Sequence, residues 1–307
     1  MSKSLDRLTL LQTFVQIADA GSISGAARAL GLSQPSVSRQ LAALESRFKS
    51  QLMRRTTHDL SLTVAGAELL ADARQLLDEW EAPEDKHLEA KDVMRGRLKV
   101  VAPIALGQLH LLDRVLEFQQ QYPAISLSWQ LEDGDIRFAA LGCDCWIKIG
   151  SILDNSLAVE PLGQVERMVV AAPALLDAYG KISLPTDLKK FSCVALSPFE
   201  GDRIPLENIK GKTKGKTVVV SPPVRMVTNN IFTIRQATLA GLGFSVMPRW
   251  FVEQELEQQQ LVDILPKWRA PSLTINVASL PGRHRPRRLQ SFLAVLREAV
   301  PQNPGVV

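Results

Sequence analysis

Apolar residues recur at helical spacing through the first fifty positions of the chain. Residues 5–20 place their apolar side chains three or four positions apart and end at Gly21, which predicts a first helix. An Ala-rich second helix ends at Gly31, and a third begins at Ser33, which is placed to cap it, with Pro35 in the first turn. Two short helices joined by a glycine-containing turn predict a helix-turn-helix, against which the first helix packs.

The first turns of the third helix are unusually polar. Side chains of this kind can hydrogen-bond to base edges, and the positive end of the helix dipole favours nearby phosphate. The pattern therefore favours a helix that enters the major groove of DNA by its N-terminal end, although an ordinary helical hairpin with a solvated polar face remains open. The polar residues are Gln34, Ser36, Ser38 and Arg39.

A basic segment follows these helices. Residues 51–63 alternate Leu60 and Leu62 with polar residues and include Arg54 and Arg55, which predicts a short β-hairpin, or wing, over the DNA backbone or minor groove. Arginines in such a wing add affinity but little sequence information. We therefore assign residues 1–63 to a winged helix-turn-helix DNA-binding domain.

Residues 64–93 predict one long linker helix that Thr63 caps. Its apolar stripe is narrow and its outer surface is acidic, as in a dimerising coiled coil. An interior proline such as Pro83 costs about 3 kcal/mol in a helix, so we expect a kink or break between residues 80 and 83. The stripe consists of Leu69, Ala73, Leu76 and Trp80.

From residue 94 onward the pattern changes to α/β. Buried strands alternate with amphipathic helices, which predicts parallel pairing in a doubly wound sheet, with ligands outside the carboxyl ends of the strands. The alternation occurs in two successive units before the chain returns to the first. We therefore expect a two-lobed, periplasmic-binding-protein-like (type 2) domain with a ligand cleft, lobe I being residues 94–165 and 270–307 and lobe II residues 166–269.

Charge and composition support the N-terminal assignment. Residues 1–63 hold eight Lys and Arg against four Asp and Glu, whereas residues 64–93 hold three against nine. A basic module beside an acidic helix is typical of nucleic-acid binding, although charged segments are often only solvated surfaces. The 307 residues include no apolar run long enough for a membrane helix and no signal-peptide pattern, and the three cysteines fit a reducing cytoplasm.

Rival functions lack the residues that they need. The sequence contains no nucleophile elbow, P-loop or glycine-rich dinucleotide turn, so we expect no enzyme, and its four histidines show no ligand spacing, so we expect no metal or other cofactor. A purely architectural DNA-binding protein would not need two ligand-binding lobes. Cys143 and Cys145 are expected to be packing thiols, with a redox role left open. Residues 210–216, KGKTKGK, predict a solvated hairpin turn in preference to a second nucleic-acid patch.

Motifs along the whole chain resemble those of LysR-type transcriptional regulators. They are FVQIADAGSISGAARALGLSQPSVSRQLAALE, RTTHDLSLTVAG, RGRLKVVAPIALG, DCWIKIGSILDNSLAVEPLG and TLAGLGFSVMPRW. Within that family they are most similar to the CrgA/DmlR-like branch. The resemblance implies a cytoplasmic homo-oligomer, a dimer or a tetramer built as a dimer of dimers, that binds double-stranded promoter DNA and a small-molecule effector. It leaves RNA polymerase open as a further partner.

The resemblance also implies roles for individual residues. The positions that meet base edges match Gln34, Pro35, Ser36 and Arg39, and the wing's phosphate contacts match Arg55 and Thr56. The loop whose backbone N–H groups hold an anionic group matches Pro103, Ile104 and Ala105. Lys148 stands at a strand end facing the cleft, and the loop from the second lobe matches Thr228, Asn229 and Asn230.

Four positions depart from the family pattern. Ala105 stands where many relatives carry a hydroxyl that helps to hold a carboxylate, so we expect a small, anionic effector held more by shape and backbone groups. Trp146 replaces a small residue and either narrows the cleft or fills the core. Met53 replaces a phenylalanine in a packing exchange, and Pro83 puts the straightness of the linker helix in doubt.

Overall fold

The N-terminal helices form a small domain with its own core. A computed structural model of the protein describes residues 6–55, 60–87, 94–180, 182–198, 203–281, 285–303 and 305–306. The helix-turn-helix lies within the first of these ranges, and its buried side chains include Phe14, Ile17, Ala26, Val37 and Leu44. The helices are α1 (Arg7–Ala20), α2 (Ile23–Leu30) and α3 (Gln34–Phe48).

Local capping sets the turn between α2 and α3. Gly31 ends α2 with a φ of 64°, in the left-handed region that favours glycine. The N–H of Ser36 donates to the Ser33 side-chain oxygen (3.3 Å), so Ser33 caps α3 with Pro35 in its first turn. The predicted stop, cap and turn are therefore confirmed.

The wing is tied to the helices on both sides. Strands β1 (Met53–Arg55) and β2 (Leu60–Leu62) pair antiparallel, as expected, and the Glu45 carboxylate accepts from the N–H groups of Leu52 (2.9 Å) and Met53 (3.2 Å). Thr63 then caps the next helix, because its hydroxyl oxygen accepts from the Gly66 N–H (2.9 Å). Met53 is buried in the domain core, which confirms its packing role.

The linker helix α4 (Val64–His87) is continuous in its backbone through Pro83, so it does not break there, and the kink expected as the alternative stays a prediction. A proline removes one backbone hydrogen bond, but the helix continues because the turns on either side keep their own hydrogen bonds. The extension of the helix to residue 93 lies outside the described residues.

The apolar stripe on α4 divides between two surroundings. Ala73 is buried in the core of the N-terminal domain, and the half-buried Leu69 packs against that core, so both contact their own domain. The residues one turn further on differ, because the side chains of Leu76 and Trp80 are 48% and 56% exposed. The dimerisation surface predicted for α4 stays a prediction, and its exposed apolar side chains are those of Leu76 and Trp80.

The first lobe is built on a parallel core. Strand β3 pairs parallel with both β4 and β5, as the alternation of strands and helices predicted. Helical segments connect these strands, and one of them contains a π-helical turn, Gly107–Leu111. The elements are β3 (Gly96–Ala102), α5 (Ile104–Leu106), α6 (Leu112–Gln121), β4 (Ile125–Leu131), α7 (Phe138–Leu141) and β5 (Cys145–Ile149).

Two long antiparallel strands run through both lobes. Strand β6 (Ala158–Ala171) pairs with β13 (Trp268–Ser279), and the register shifts between Ala270 and Leu273 and again between Ile275 and Asn276. The main sheet has the order β11-β6-β13-β5-β3-β4, in which β11 (Ser245–Pro248) belongs to the second lobe. This ribbon of β6 and β13 is therefore the continuous connection between the lobes.

The second lobe mixes parallel and antiparallel pairing. Its strands β7 and β10 are parallel, whereas β8 and β9 form an antiparallel hairpin around residues 210–216, so the predicted hairpin turn is confirmed. Its elements, with the C-terminal helix that returns to lobe I, are α8 (Pro173–Tyr179), β7 (Cys193–Leu196), β8 (Ile204–Asn208), β9 (Thr217–Val220), β10 (Val224–Thr228), α9 (Ile231–Leu239), α10 (Glu253–Glu257), β12 (Val262–Asp263) and α11 (Arg287–Ala299). Short 3-10 turns lie at Pro185–Lys190, Gly211–Thr213, Arg249–Phe251 and Val300–Gln302. The domain boundaries assigned from the sequence stay a prediction.

An ionic junction joins the N-terminal domain to lobe I. The Asp19 carboxylate at the end of α1 accepts from Arg74 on the linker helix (2.5 Å) and also pairs with Arg97 on β3. The Arg74 guanidinium lies against Gly142, at a place where a Cβ atom would overlap it. Asp144 lines the same pocket, and burial raises the pKa of its carboxyl although the Lys99 N–H and nearby arginines oppose the shift.

The cysteines and Trp146 belong to the core. Burial raises the pKa of the Cys143 thiol to about 12 and also raises that of Cys145, so both resist forming the reactive thiolate. Trp146 is buried beside Cys143 and Phe138, so it fills the core rather than narrowing the cleft. Within the described ranges no His, Cys, Asp and Glu side chains cluster as metal ligands, and no helix is long and apolar enough to cross a membrane.

Candidate DNA-binding surface and ligand cavity

The N-terminal end of α3 presents polar side chains to solvent. Gln34, Pro35 and Arg39 are exposed, and Ser36 and Ser38 are half-buried. The hydroxyls of Ser33 and Ser36 lie 2.8 Å apart, which orients the first turn of the helix. One face of α3 packs into the core through Val37 and Leu41, so the opposite, polar face is available to a groove of DNA.

A buried hydrogen bond joins this helix to α1. The Thr13 hydroxyl on α1 donates to the Gln40 side-chain oxygen on α3, and both residues are buried. Of the residues expected in the wing, Arg54 is exposed and Arg55 belongs to β1, while Thr56 lies outside the described residues. The exposed arginines of α3 and of the wing therefore lie on a helix and a strand that belong to the packed structure of this domain.

A cavity of about 180 Å³ lies between the two lobes at the carboxyl ends of β3, β4 and β5. It contains four of the residues predicted to bind an effector: Pro103, Ala105, Lys148 and Asn229. Most of the remaining lining is apolar. Its apolar residues are Leu106, Ile147, Ile149, Val165, Leu196, Pro198, Ile231, Val246, Pro248, Trp250 and Leu273. Comparable apolar cavities of about 150 Å³ hold a molecule of the size of benzene.

Three of the residues predicted for this site do not line the cavity. The Ile104 N–H donates to the Asp133 carboxylate (2.9 Å), so the start of α5 is already occupied by an acid from the chain itself. The Asn230 side chain accepts from the Thr233 N–H (3.0 Å) and caps α9, while the Thr228 hydroxyl oxygen accepts from the Asn230 N–H (3.2 Å). These three residues therefore make hydrogen bonds within the chain and do not themselves line the cavity.

Acidic and basic side chains face each other across the cavity. Glu132 and Asp133 line it from the loop after β4, and Lys148 and Arg167 line it from β5 and β6. Partial burial raises the pKa of the Asp133 carboxyl, the Ile104 N–H lowers it, and the charge of Glu132 raises it further. The acids were missed in the sequence, although their position directly after a strand predicted to pair parallel with β3 was a signal for them.

Both cations of the cavity have partners within the chain. The Lys148 ammonium forms an ion pair with Asp135 and lies 5.2 Å from the centre of the Trp146 ring. The Arg167 guanidinium donates to the Pro271 carbonyl oxygen through Nε (2.9 Å) and through a terminal nitrogen (2.8 Å). Arg167 carried no signal in the sequence, because its place beside the cavity depends on how β6 crosses from one lobe to the other.

Both domains match known family models. A model of bacterial regulatory helix-turn-helix proteins of the lysR family matches residues 8–67, and a model of the LysR substrate binding domain matches residues 91–301. The chain belongs to the LysR family. It is a DNA-binding transcriptional regulator, and its C-terminal LysR domain is of the kind that binds a small-molecule effector.

Relatives of the LysR-family chain span almost its whole length. It is 28% identical to the probable transcriptional regulator LtrA of Klebsiella pneumoniae over 97% of this chain and 96% of LtrA. CrgA, a LysR-type regulator from Neisseria meningitidis, has a similar structure, with a TM-score of 0.57, 25% identity and coverage of 94% of this chain and 97% of CrgA. A full-length OxyR variant from Pseudomonas aeruginosa shares the fold, with a TM-score of 0.72, 17% identity and coverage of 98% and 96%. Such curated relatives are named as transcriptional regulators and not as enzymes.

Proposed function

We propose that the protein controls target promoters by inserting the N-terminal end of α3 into the major groove and that a small molecule bound between its lobes changes this binding. The observation that supports the first part is the exposed polar face of α3 on a basic domain in which α3 packs against α1. The observation that supports the second is the mainly apolar cavity that contains Pro103, Ala105, Lys148 and Asn229.

Arg39→Ala is expected to relax base preference at one position in each half-site, at a cost of about 1–3 kcal/mol, because Arg39 is exposed near the end of α3 that faces the groove. Arg54→Ala is the matched control, since Arg54 is also exposed but lies on the wing, where it contacts phosphate in the proposed complex. Binding isotherms on the operator and on random DNA measure both. Equal losses on the two DNAs for Arg39→Ala would contradict its role in recognition.

Ala105→Trp is expected to abolish effector binding, because Ala105 is buried at the cavity wall and an indole would fill a volume of about 180 Å³. Thermal shift on a metabolite panel identifies the best ligand, and calorimetry then compares the variants. Ala139→Trp is the matched control, since Ala139 is exposed on α7 outside the cavity. A second variant, Lys148→Ala, keeps the test informative if Ala105→Trp fails to fold. Unchanged affinity in both cavity variants places the ligand elsewhere.

The charge of the effector is a separate part of the proposal. The sequence predicted an anionic effector, and Lys148 supports that prediction as a cavity cation. Glu132 and Asp133 oppose it, since they add negative charge to the same cavity. Occupation of the Ile104 N–H by Asp133 removes the backbone donor on which the prediction depended.

Self-association is part of the proposed mechanism. The exposed side chains of Leu76 and Trp80 lie one turn apart on α4 and form an apolar surface that a second copy of the chain can cover. A dimer made in this way places two copies of α3 on one DNA, as a pair of half-sites requires. Assembly of two such dimers into a homotetramer extends the same proposal, as does contact with RNA polymerase.

A further inference from the structure

The cavity contains an acid at the position where an effector's own acid was expected. Asp133 accepts from the Ile104 N–H (2.9 Å), and the Glu132 N–H donates to the Ala102 carbonyl oxygen (2.8 Å), which holds the acidic loop against the end of β3. A ligand carboxylate placed there would have to displace Asp133 or lie beside it. The start of α5 is therefore satisfied before any ligand binds.

The cations of the cavity offset this negative charge only in part. Lys148 is paired with Asp135, and Arg167 donates twice to the Pro271 carbonyl oxygen. Counted with Asp135, three carboxylates and two cations lie in or directly beside the cavity. An added carboxylate would be repelled by the acidic wall, whereas an added cation would be attracted to it.

We propose that the cavity binds a small, mainly apolar ligand that carries a protonated amine, with the amine on Asp133 and Glu132 and the apolar body against the side chains between the lobes. This inference rests on the proposed function, because it assigns a ligand class to the same cavity. The volume of about 180 Å³ matches a body of one ring or a short alkyl chain. The cavity discriminates against a carboxylate of the same shape.

Two sets of matched compounds test the charge directly on the full-length protein. The first is benzylamine, benzamide and benzoate, and the second is butylamine, butanamide and butanoate. Calorimetry at neutral pH is expected to rank amine, amide and carboxylate in that order. The amine should bind at least about tenfold more tightly than the carboxylate, because a charge within about 4–6 Å shifts such equilibria by that factor or more.

Three variants locate the origin of the preference. Asp133→Asn keeps an oxygen to accept from the Ile104 N–H but removes the charge, so it is expected to reduce the preference for the amine to a few-fold, and Glu132→Gln to reduce it less. Glu117→Gln is the matched control, because Glu117 lies on the outer face of α6 and pairs with Arg114 (2.9 Å). It is expected to leave the ranking unchanged.

The outcomes separate this inference from the proposed function. If the carboxylates bind most tightly and Ala105→Trp abolishes their binding, the cavity is the effector site and the amine assignment is wrong. If the amines bind most tightly but Asp133→Asn does not change the ranking, the assignment to Asp133 is wrong. If no compound binds, the amine assignment is wrong, and the metabolite panel still tests the proposed function. If compounds bind but Ala105→Trp leaves all binding unchanged, the cavity is not the effector site and both proposals fail.

Discussion

Replacing Leu76 with aspartate is expected to convert the protein to monomers and to abolish tight operator binding. Leu76 is 48% exposed on α4, and in the proposed dimer a second chain covers it. An aspartate there would bury an unpaired charge against an apolar surface, which costs several kcal/mol. Each half-site would then be bound by a single domain, so the affinity gained from binding two linked half-sites would be lost. Light scattering and operator titration measure the two effects.

The same substitution at an equally accessible leucine supplies the control. Leu184 in the second lobe is 56% exposed, so Leu184→Asp adds the same charge to the surface away from α4. It is expected to leave both the mass and the operator affinity unchanged. If Leu76→Asp also leaves the mass unchanged, the dimer is held by another surface and the assignment to α4 is wrong.

Asp19→Asn is expected to separate the DNA-binding domain from lobe I. Asp19 is nearly buried and pairs with both Arg74 and Arg97, so the variant removes one of the two carboxylates, those of Asp19 and Asp144, that lie close to these guanidinium groups. Removing one member of a buried ion pair lowers the free energy of unfolding by about 3–5 kcal/mol. Because Arg97 is partly exposed, we expect a loss at the lower end of this range, about 3 kcal/mol. Chemical denaturation should therefore show a lower midpoint, and hydrogen exchange should increase along α1 and α4.

The effect of Asp19→Asn on regulation shows whether the junction only holds the two domains together or also transmits the effector signal to the DNA-binding domain. If the junction transmits the effector signal, the ratio of operator affinities with and without effector should fall towards one, while the effector still binds. Asp177→Asn is the control, because Asp177 is exposed on α8 and far along the chain from the junction. Equal shifts in the denaturation midpoint for the two variants would show that Asp19 contributes no special stability.

Local patterns in the sequence were sufficient for the helix-turn-helix and its caps. The conformation of Gly31 and the capping of α3 by Ser33 depend on residues a few positions apart, so both could be predicted. The parallel pairing of β3, β4 and β5 also followed from the order of strands and helices. Pro83 shows where such local reasoning fails. The unfavourable free energy of a proline inside a helix predicted an interruption, but α4 is not interrupted there.

The cavity and the junction depended on contacts between distant parts of the chain. Ala73 shares the helical spacing of Leu76, but only the packing of α4 against the N-terminal domain buries the former and leaves the latter exposed. Asp133 had no predicted role, because its hydrogen bond to Ile104 requires two strands to end at the same edge of the sheet. Asp19 and Arg97 are likewise brought together by domain contact and by no spacing along the chain.

The ribbon formed by β6 and β13 determines what kind of motion an effector can cause. Two hydrogen-bonded strands resist sliding, since sliding breaks their ladder bonds together. Between the pairing of β13 with β5 and that of β6 with β11, the ribbon is only two strands wide, and twist is larger in two-stranded ribbons than in wider sheets. The register shift beside Pro271, where Arg167 donates to the carbonyl oxygen, is one of two irregular points in this ribbon, and it lies next to the cavity. An effector bound in the cavity, as proposed, would therefore be expected to set the angle between the lobes more than the distance between them.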